Sequence, residues 1–418
     1  MTRNLVVSRS LVEILLATAA ILFFNWMQYF PPLVHGTFAY ADTDVLLVYW
    51  RSGIGQSAHL IPYVQFSFEY PVIVGFLVYV TSGLARMISC SSISCSSNSS
   101  GFFLALDYYV FFMDVVLGAF TLGTVYYVYK ICDAARKDMS RIWKAFLITP
   151  TFLLYPLFNW DMIAIFFTVV AVWYTIQHRT RYAALSIGLG IATKLYPAMI
   201  LPVVMAEEKT WKARLIVFWI AALVFGLLNA PLMILNLSGW TSWATGVGSG
   251  GIEASWLIFF FNHHDRTVYL VGFGIMLYLV YKGLIETKVK KYHQASDRIF
   301  ERSILMNLAW LLGSWVVPPQ MALIALPFYV LIPQIPLALI YLEGIFNILI
   351  IPLYIYAVVS LHMDPSIAAS PASWSAAARQ VIWVVLFAYM IYPKQTTAFA
   401  NRFLKARGRP NRASQQRY

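Results

Sequence analysis

Nine apolar stretches, at 10–30, 102–130, 145–177, 183–206, 215–235, 267–286, 303–336, 337–361 and 377–393, run on without alternating with polar residues. That feature decides the fold class. A helix needs about 20 apolar residues to cross the hydrocarbon of a bilayer. Inside lipid every backbone N–H and C=O must find an internal partner, which leaves helices or a closed barrel, and a barrel would show a period of two. Composition agrees, with 60% of residues hydrophobic and 11% charged, against about 25% charged in a soluble domain. The chain therefore reads as an all-α, polytopic integral membrane protein. Residues 1–393 form one transmembrane domain and 394–418 a basic cytoplasmic tail.

The placement of charge orients the helices. The formal net charge is +12, and of 30 Lys and Arg, 25 fall in six places: Arg3 with Arg9, 130–144, 179–181, 209–214, 282–302 and 394–417. The remaining five are Arg51, Arg86, Lys194, Arg266 and Arg379. Short basic loops stay cytoplasmic and face anionic headgroups, so membrane lipids are the expected partner of these clusters and nucleic acid is not.

Fixing the clusters inside imposes parity: the chain between two of them crosses an even number of times. Residues 183–206 lie between Arg179/Arg181 and Lys209/Lys212/Arg214. One crossing would expel a basic cluster, and two would need about 40 residues. The solution is a broken hairpin with its tip at Lys194-Leu195-Tyr196-Pro197, because a residue before proline disfavours the helix. The same reasoning turns 145–177 at Phe158-Asn159-Trp160-Asp161 and 303–336 at Val317-Pro318-Pro319-Gln320. Residues 71–89 are apolar enough to span, but a crossing there would leave 130–144 outside; they read as a re-entrant or interfacial helix on the outer side.

About 12 crossings result, with both termini cytoplasmic and two long outer loops, 31–101 and 236–266. Cys90, Cys95 and the sequon Asn98-Ser99-Ser100 fall in the first loop, where a bridge between the two thiols is chemically sensible. Cys132 is placed in a basic loop as an ordinary thiol. Residues 11–24 resemble a signal-peptide core without a small-residue cleavage site and read as a retained first helix.

This topology gathers the unusual polar residues on one side. The first outer loop holds Asp42, Asp44, Arg51, His59 and Glu69; the hairpin tips add Asp161, Lys194 and Gln320; the second loop adds Glu253, His263, His264, Asp265 and Arg266. Ionisable groups at membrane depth cost about 2.5–3.5 kcal/mol each and are functional candidates by default. Each also has a plainer reading. Asp42 or Asp44 can cap the helix that follows, Asp161 can cap its own helix, and Lys194 can snorkel from a helix end. The His263-His264 pair lacks i,i+4 spacing, so neither a metal nor any other cofactor is expected. Asp114, within 102–130, reads as a helix–helix hydrogen-bonding group.

At these residues the sequence resembles a family. Asp42-Thr43-Asp44, Val48-Tyr49, Ile61-Pro62-Tyr63 and Phe68-Glu69-Tyr70-Pro71 are similar, in order, to the first outer loop of the GT-C membrane glycosyltransferases. They resemble most the polyprenyl-phosphate-mannose-dependent mannosyltransferases of glycosyltransferase family 87 and the catalytic subunit of GPI mannosyltransferase I. Asp114, Thr193-Lys194-Leu195-Tyr196-Pro197, and Pro319-Gln320 with Leu326-Pro327 extend the likeness across about 40–330. Tyr70-Pro71 is followed by Val72 where the family pattern has a second proline, and one extra residue separates Asp44 from Val48-Tyr49.

The resemblance implies a GT-C fold with an extracytoplasmic active site. It implies a donor, a hexose (mannose) on polyprenyl or dolichyl phosphate, and a glycolipid or glycan acceptor. The residues supply a compatible site: Asp44 or Asp42 as general base, Lys194 with Arg266 and Arg51 on the donor phosphate. Glu69, Tyr70, Asp161, Tyr196, His263, His264 and Gln320 line the substrate, and Trp50, Tyr63 and Trp160 offer aromatic faces for sugar. The competing class is a transporter or lipid flippase, which also uses broken helices; the absence of an inverted repeat argues against it.

Overall fold

The computed structural model describes residues 9–29, 43–51, 60–89, 100–249 and 251–392. Asp42, His59, Cys90, Cys95, Asn98 and Ser99 of the sequon, and the basic tail lie outside these, as does the Arg51 side chain. Helices of eight residues or more are α1 (Arg9–Tyr29), α2 (Asp44–Arg51), α3 (Val72–Ser89), α4 (Ser100–Ala134), α5 (Asp161–Ile176) and α6 (Thr180–Ile191). They continue with α7 (Trp211–Leu235), α8 (Leu237–Ser249), α9 (Thr267–Val289), α10 (Ala295–Gly313), α11 (Leu337–Val359) and α12 (Pro371–Ile391). Among the described residues there is no strand, and seven helices are long and apolar enough to cross a membrane: α1, α3, α4, α7, α9, α11 and α12. The all-α, polytopic membrane fold is what the apolar runs require.

The three segments too short for two full crossings are the three that break. Residues 145–177 divide into a short helix at Pro150–Leu154 and α5, with irregular backbone between. Residues 183–206 divide into α6, a turn at Ala192–Leu195, a 3-10 stretch at Tyr196–Ile200 and a helix at Leu201–Glu207. Thr193 and Lys194 both donate their N–H to the Gly190 carbonyl at 2.9 Å, closing the end of α6. A Cβ on Gly190 would sit 2.8 Å from the Pro197 ring, so the fold-back needs a glycine there. Residues 303–336 divide into α10, an extended stretch leading to Pro318, a 3-10 stretch at Pro319–Ile324 and a helix at Leu326–Leu331.

The two ends of the bundle carry opposite chemistry. Near the start of α10, Asp297 pairs with Lys137 at 2.6 Å, while Arg298 and Arg302 reach Glu207 at 2.6 and 3.1 Å. Two basic clusters distant in sequence, 130–144 and 282–302, thus meet at one end, with Glu207 just before a third. The 19 residues of α10 then rise about 28 Å to the break at 314–318. The 16 residues of α5 run between the same two levels. Elsewhere the helices cross closely: α9 and α10 meet at Gly272 and Gly313, where a Cβ on either would strike the other's carbonyl oxygen.

Three local expectations are corrected. Cys132 lies not in a loop but in the last turn of α4, fully buried as a free thiol. Residues 237–249 of the second outer loop are helical. Asp114 is buried in α4 but makes no hydrogen bond among the described residues, one of its oxygens being sealed from water without a partner. Residues 72–89 form one unbroken helix.

Candidate active site

Asp44 opens α2, and its plainest alternative role is taken by its neighbour. The Thr43 hydroxyl accepts the Leu46 N–H at 3.2 Å and its carbonyl accepts the Leu47 N–H at 2.9 Å, so Thr43 is the cap. The Asp44 N–H is tied to the Phe158 carbonyl at 3.1 Å, which joins α2 to the first break. Its carboxyl is then free to turn inward. Oδ2 accepts Nδ2 of Asn159 at 2.5 Å and Nε2 of Gln320 at 3.0 Å, bringing together the tips of the first and third broken segments. Oδ1 accepts no hydrogen bond among the described residues. Burial pushes the carboxyl up from 3.8 to about 6, against the opposing pull of Lys194 and the Asn159 hydrogen bond.

The second broken segment supplies Lys194. Its Nζ donates to Asp161 Oδ2 at 3.2 Å and stands 5.4 Å from the centre of the Tyr70 ring. Asp161 is fully buried at the N-terminus of α5, and its other oxygen has no partner. The ammonium has three protons and one acceptor here. Tyr196, also fully buried, donates its hydroxyl to the Asp161 carbonyl at 2.9 Å.

The outer loops close on the same place. The Ile73 N–H donates to the Ala192 carbonyl at 3.0 Å, fixing the start of α3 against the Lys194 turn. Tyr63, in a left-handed conformation at φ 67°, donates its hydroxyl to the Tyr70 carbonyl at 2.5 Å. The Tyr70 ring lies 4.7 Å from Trp160. Burial and the charges of Asp44, Glu69, Asp161 and Glu253 hold the Tyr70 phenol well above its ordinary pKa. Glu253 arrives through the third break: its N–H donates to the Trp315 carbonyl and its carbonyl accepts the Val317 N–H, both at 2.9 Å. Four carboxylates and one ammonium therefore share one neighbourhood.

Several of the residues read from sequence take other places. Asp161 and Tyr196, expected to line the substrate, are completely buried and hold Lys194 and the start of α5. Tyr63 and Trp160, at 2% and 0% exposure, are packed core and not platforms for sugar. Arg266 is exposed, and its side chain makes no ion pair or hydrogen bond among the described residues. His263 and His264 pack edge to face at 4.5 Å, and the buried Nδ1 of His263 has no partner. Among the described residues no three His, Cys, Asp or Glu side chains are grouped to hold a metal ion. Asn159 was not singled out by the sequence, and Glu253 was counted among the polar outer residues without a role. The signal for Asn159 was its place in the same four-residue tip as Asp161; nothing in the sequence marks Glu253 above other loop carboxylates.

The three broken segments thus meet around a carboxylate of raised pKa at the start of α2 and an ammonium with one acceptor. In a comparison with family models, residues 68–264 match glycosyltransferase family 87. The match covers just under half of the chain and supports the resemblance read from the motifs, that of a membrane glycosyltransferase. The comparison with curated proteins finds no match.

Proposed function

We propose that the protein transfers one hexose, mannose, from a polyprenyl or dolichyl phosphate to a glycolipid or glycan hydroxyl at the extracytoplasmic face of the membrane. The observation that carries this reading is Asp44, with two amide donors on one carboxylate oxygen, none on the other, and a pKa of about 6. At neutral pH such a carboxylate is ionised and still basic enough to take a proton in the transition state.

In the reaction the free oxygen of Asp44 accepts the proton of the acceptor hydroxyl. The hydroxyl oxygen bonds to the anomeric carbon, the bond from that carbon to the phosphate oxygen breaks, and its electron pair leaves with the lipid phosphate. Attack from the face opposite the phosphate inverts the anomeric configuration. Lys194, held by Asp161, offers its two remaining N–H donors to the charge that gathers on the phosphate. Glu69 and Glu253, the other carboxylates of the neighbourhood, accept sugar hydroxyls in this reading. Arg51 and Asp42 belong to this proposal by sequence alone.

The test is to incubate the purified protein in lipid vesicles with radiolabelled polyprenyl-phosphate-mannose and candidate acceptor lipids. A larger glycolipid with an inverted linkage is expected. Movement of the labelled donor across the bilayer without a new glycosidic bond would replace this reading with transport.

A further inference from the structure

Of the five unclustered basic residues, Arg379 has no part in the chemistry above, yet it is fully buried. It sits in α12, far in sequence from every site residue. A buried guanidinium must find acceptors and countercharge or it costs several kcal/mol. Here Nη1 donates to Asn347 Oδ1 at 2.7 Å, and Nη2 donates to the Val317 carbonyl at 2.6 Å and the Ala254 carbonyl at 2.9 Å. The guanidinium also lies 4.7 Å from the centre of the Trp383 ring, and the fully buried Glu343 of α11 couples to it electrostatically without an ion pair among the described residues.

The two carbonyls belong to the segments that deliver site residues. Val317 is three positions before Gln320, and Ala254 follows Glu253. Both stretches are irregular: 314–318 is the break after α10, and Ala254 is left-handed at φ 46°. Asn347 extends the clamp, its Nδ2 donating to the Pro319 carbonyl at 2.9 Å. A planar fork can hold several fixed acceptors at once, which a single ammonium cannot.

We infer that Arg379, with Asn347 as its relay, is a positioning residue for glycosyl transfer: it fixes the 314–320 break so that Gln320 meets Asp44. The inference rests on the reading of Asp44 as the base. Arg379 itself touches no substrate.

The test is a double-mutant cycle on the full-length protein in lipid, measuring transfer by R379K, Q320A and R379K/Q320A. Lysine keeps the positive charge but loses the fork. Each single variant should lower kcat by about tenfold with donor KM nearly unchanged, and the double variant should be no slower than Q320A alone. Multiplying effects, an unaltered kcat in R379K, or a raised KM with full kcat would overturn the inference. Should R379K not fold, N347A in the same cycle removes the donor to Pro319 and is read by the same criteria. D44N distinguishes the two levels: full activity there removes the Asp44 reading, whereas an inactive D44N with multiplying Arg379 and Gln320 effects removes only this inference.

Discussion

Asp44→Asn should abolish transfer and stabilise the protein at once. Raising the carboxyl from 3.8 to about 6 means that the folded state disfavours the ionised form. The difference is equivalent to about 3 kcal/mol at neutral pH. The sign follows from the direction of the shift. A carboxyl whose pKa is raised on folding adds stability below its unfolded pKa, and that stability is lost as pH rises through the folded value. Wild-type protein is therefore strained by its own site above about pH 6. Asparagine is neutral at every pH and can present its oxygen to Asn159 and Gln320 as Oδ2 does. Thermal unfolding in detergent or lipid should show D44N more stable than wild type at pH 7.5, by up to about 3 kcal/mol. The gain should fade as pH falls through 6 and vanish only below the unfolded value of 3.8, where the wild-type carboxyl is protonated in both states. Transfer should fall by about 10²–10⁴-fold, the usual worth of a general base. A D44N protein that is less stable at pH 7.5, or equally stable at all pH values, would refute the reasoning about its burial; one that transfers at the wild-type rate would refute its role.

Other outcomes follow from neighbouring residues. Lys194→Ala strands the buried Asp161 carboxylate and should cost about 3–5 kcal/mol of stability; in an Asp161→Asn background the fold should recover while apparent affinity for the lipid-phosphate donor stays weak. Recovered affinity in that double variant would remove the phosphate role of Lys194. Asn159→Leu deletes a donor to the ionised carboxylate, so the acid limb of the transfer pH profile, expected near pH 6 from Asp44, should move to higher pH; an unmoved or lowered limb would contradict it. Trp160→Ala empties a fully buried site beside Tyr70 and Met113 and should cost about 3–5 kcal/mol, seen as a lower Tm; an unchanged Tm would mean that Trp160 is not core.

Most of the architecture was legible because lipid leaves few choices. Apolar run length fixed the helices, and the shortage of residues between basic clusters located the breaks at 158–161, 194–197 and 317–320. The same parity put Asp161, Lys194 and Gln320 at one level, and the structure joins two of those tips through Asp44. What could not be read was depth of burial within the protein. Tyr196, Trp160 and Asp161 carry polar or amphipathic groups that look equally apt for substrate or for core, and only packing separates them. Long-range pairing was also hidden: nothing in residues 371–391 announces that Arg379 grips carbonyls 62 and 125 positions away. Thr43 beside Asp44 is a subtler case, since either can cap, and the hydroxyl took that role and left the carboxylate to the site.

The most direct measurement is an experimental density map of the wild-type protein bound to a non-transferable polyprenyl-phosphate-mannose analogue. The expected result is phosphate within hydrogen-bond reach of Lys194 Nζ, with the sugar's anomeric carbon facing the open oxygen of Asp44. Phosphate seated at the other end of the bundle, among Lys137, Arg298 and Arg302, would contradict it.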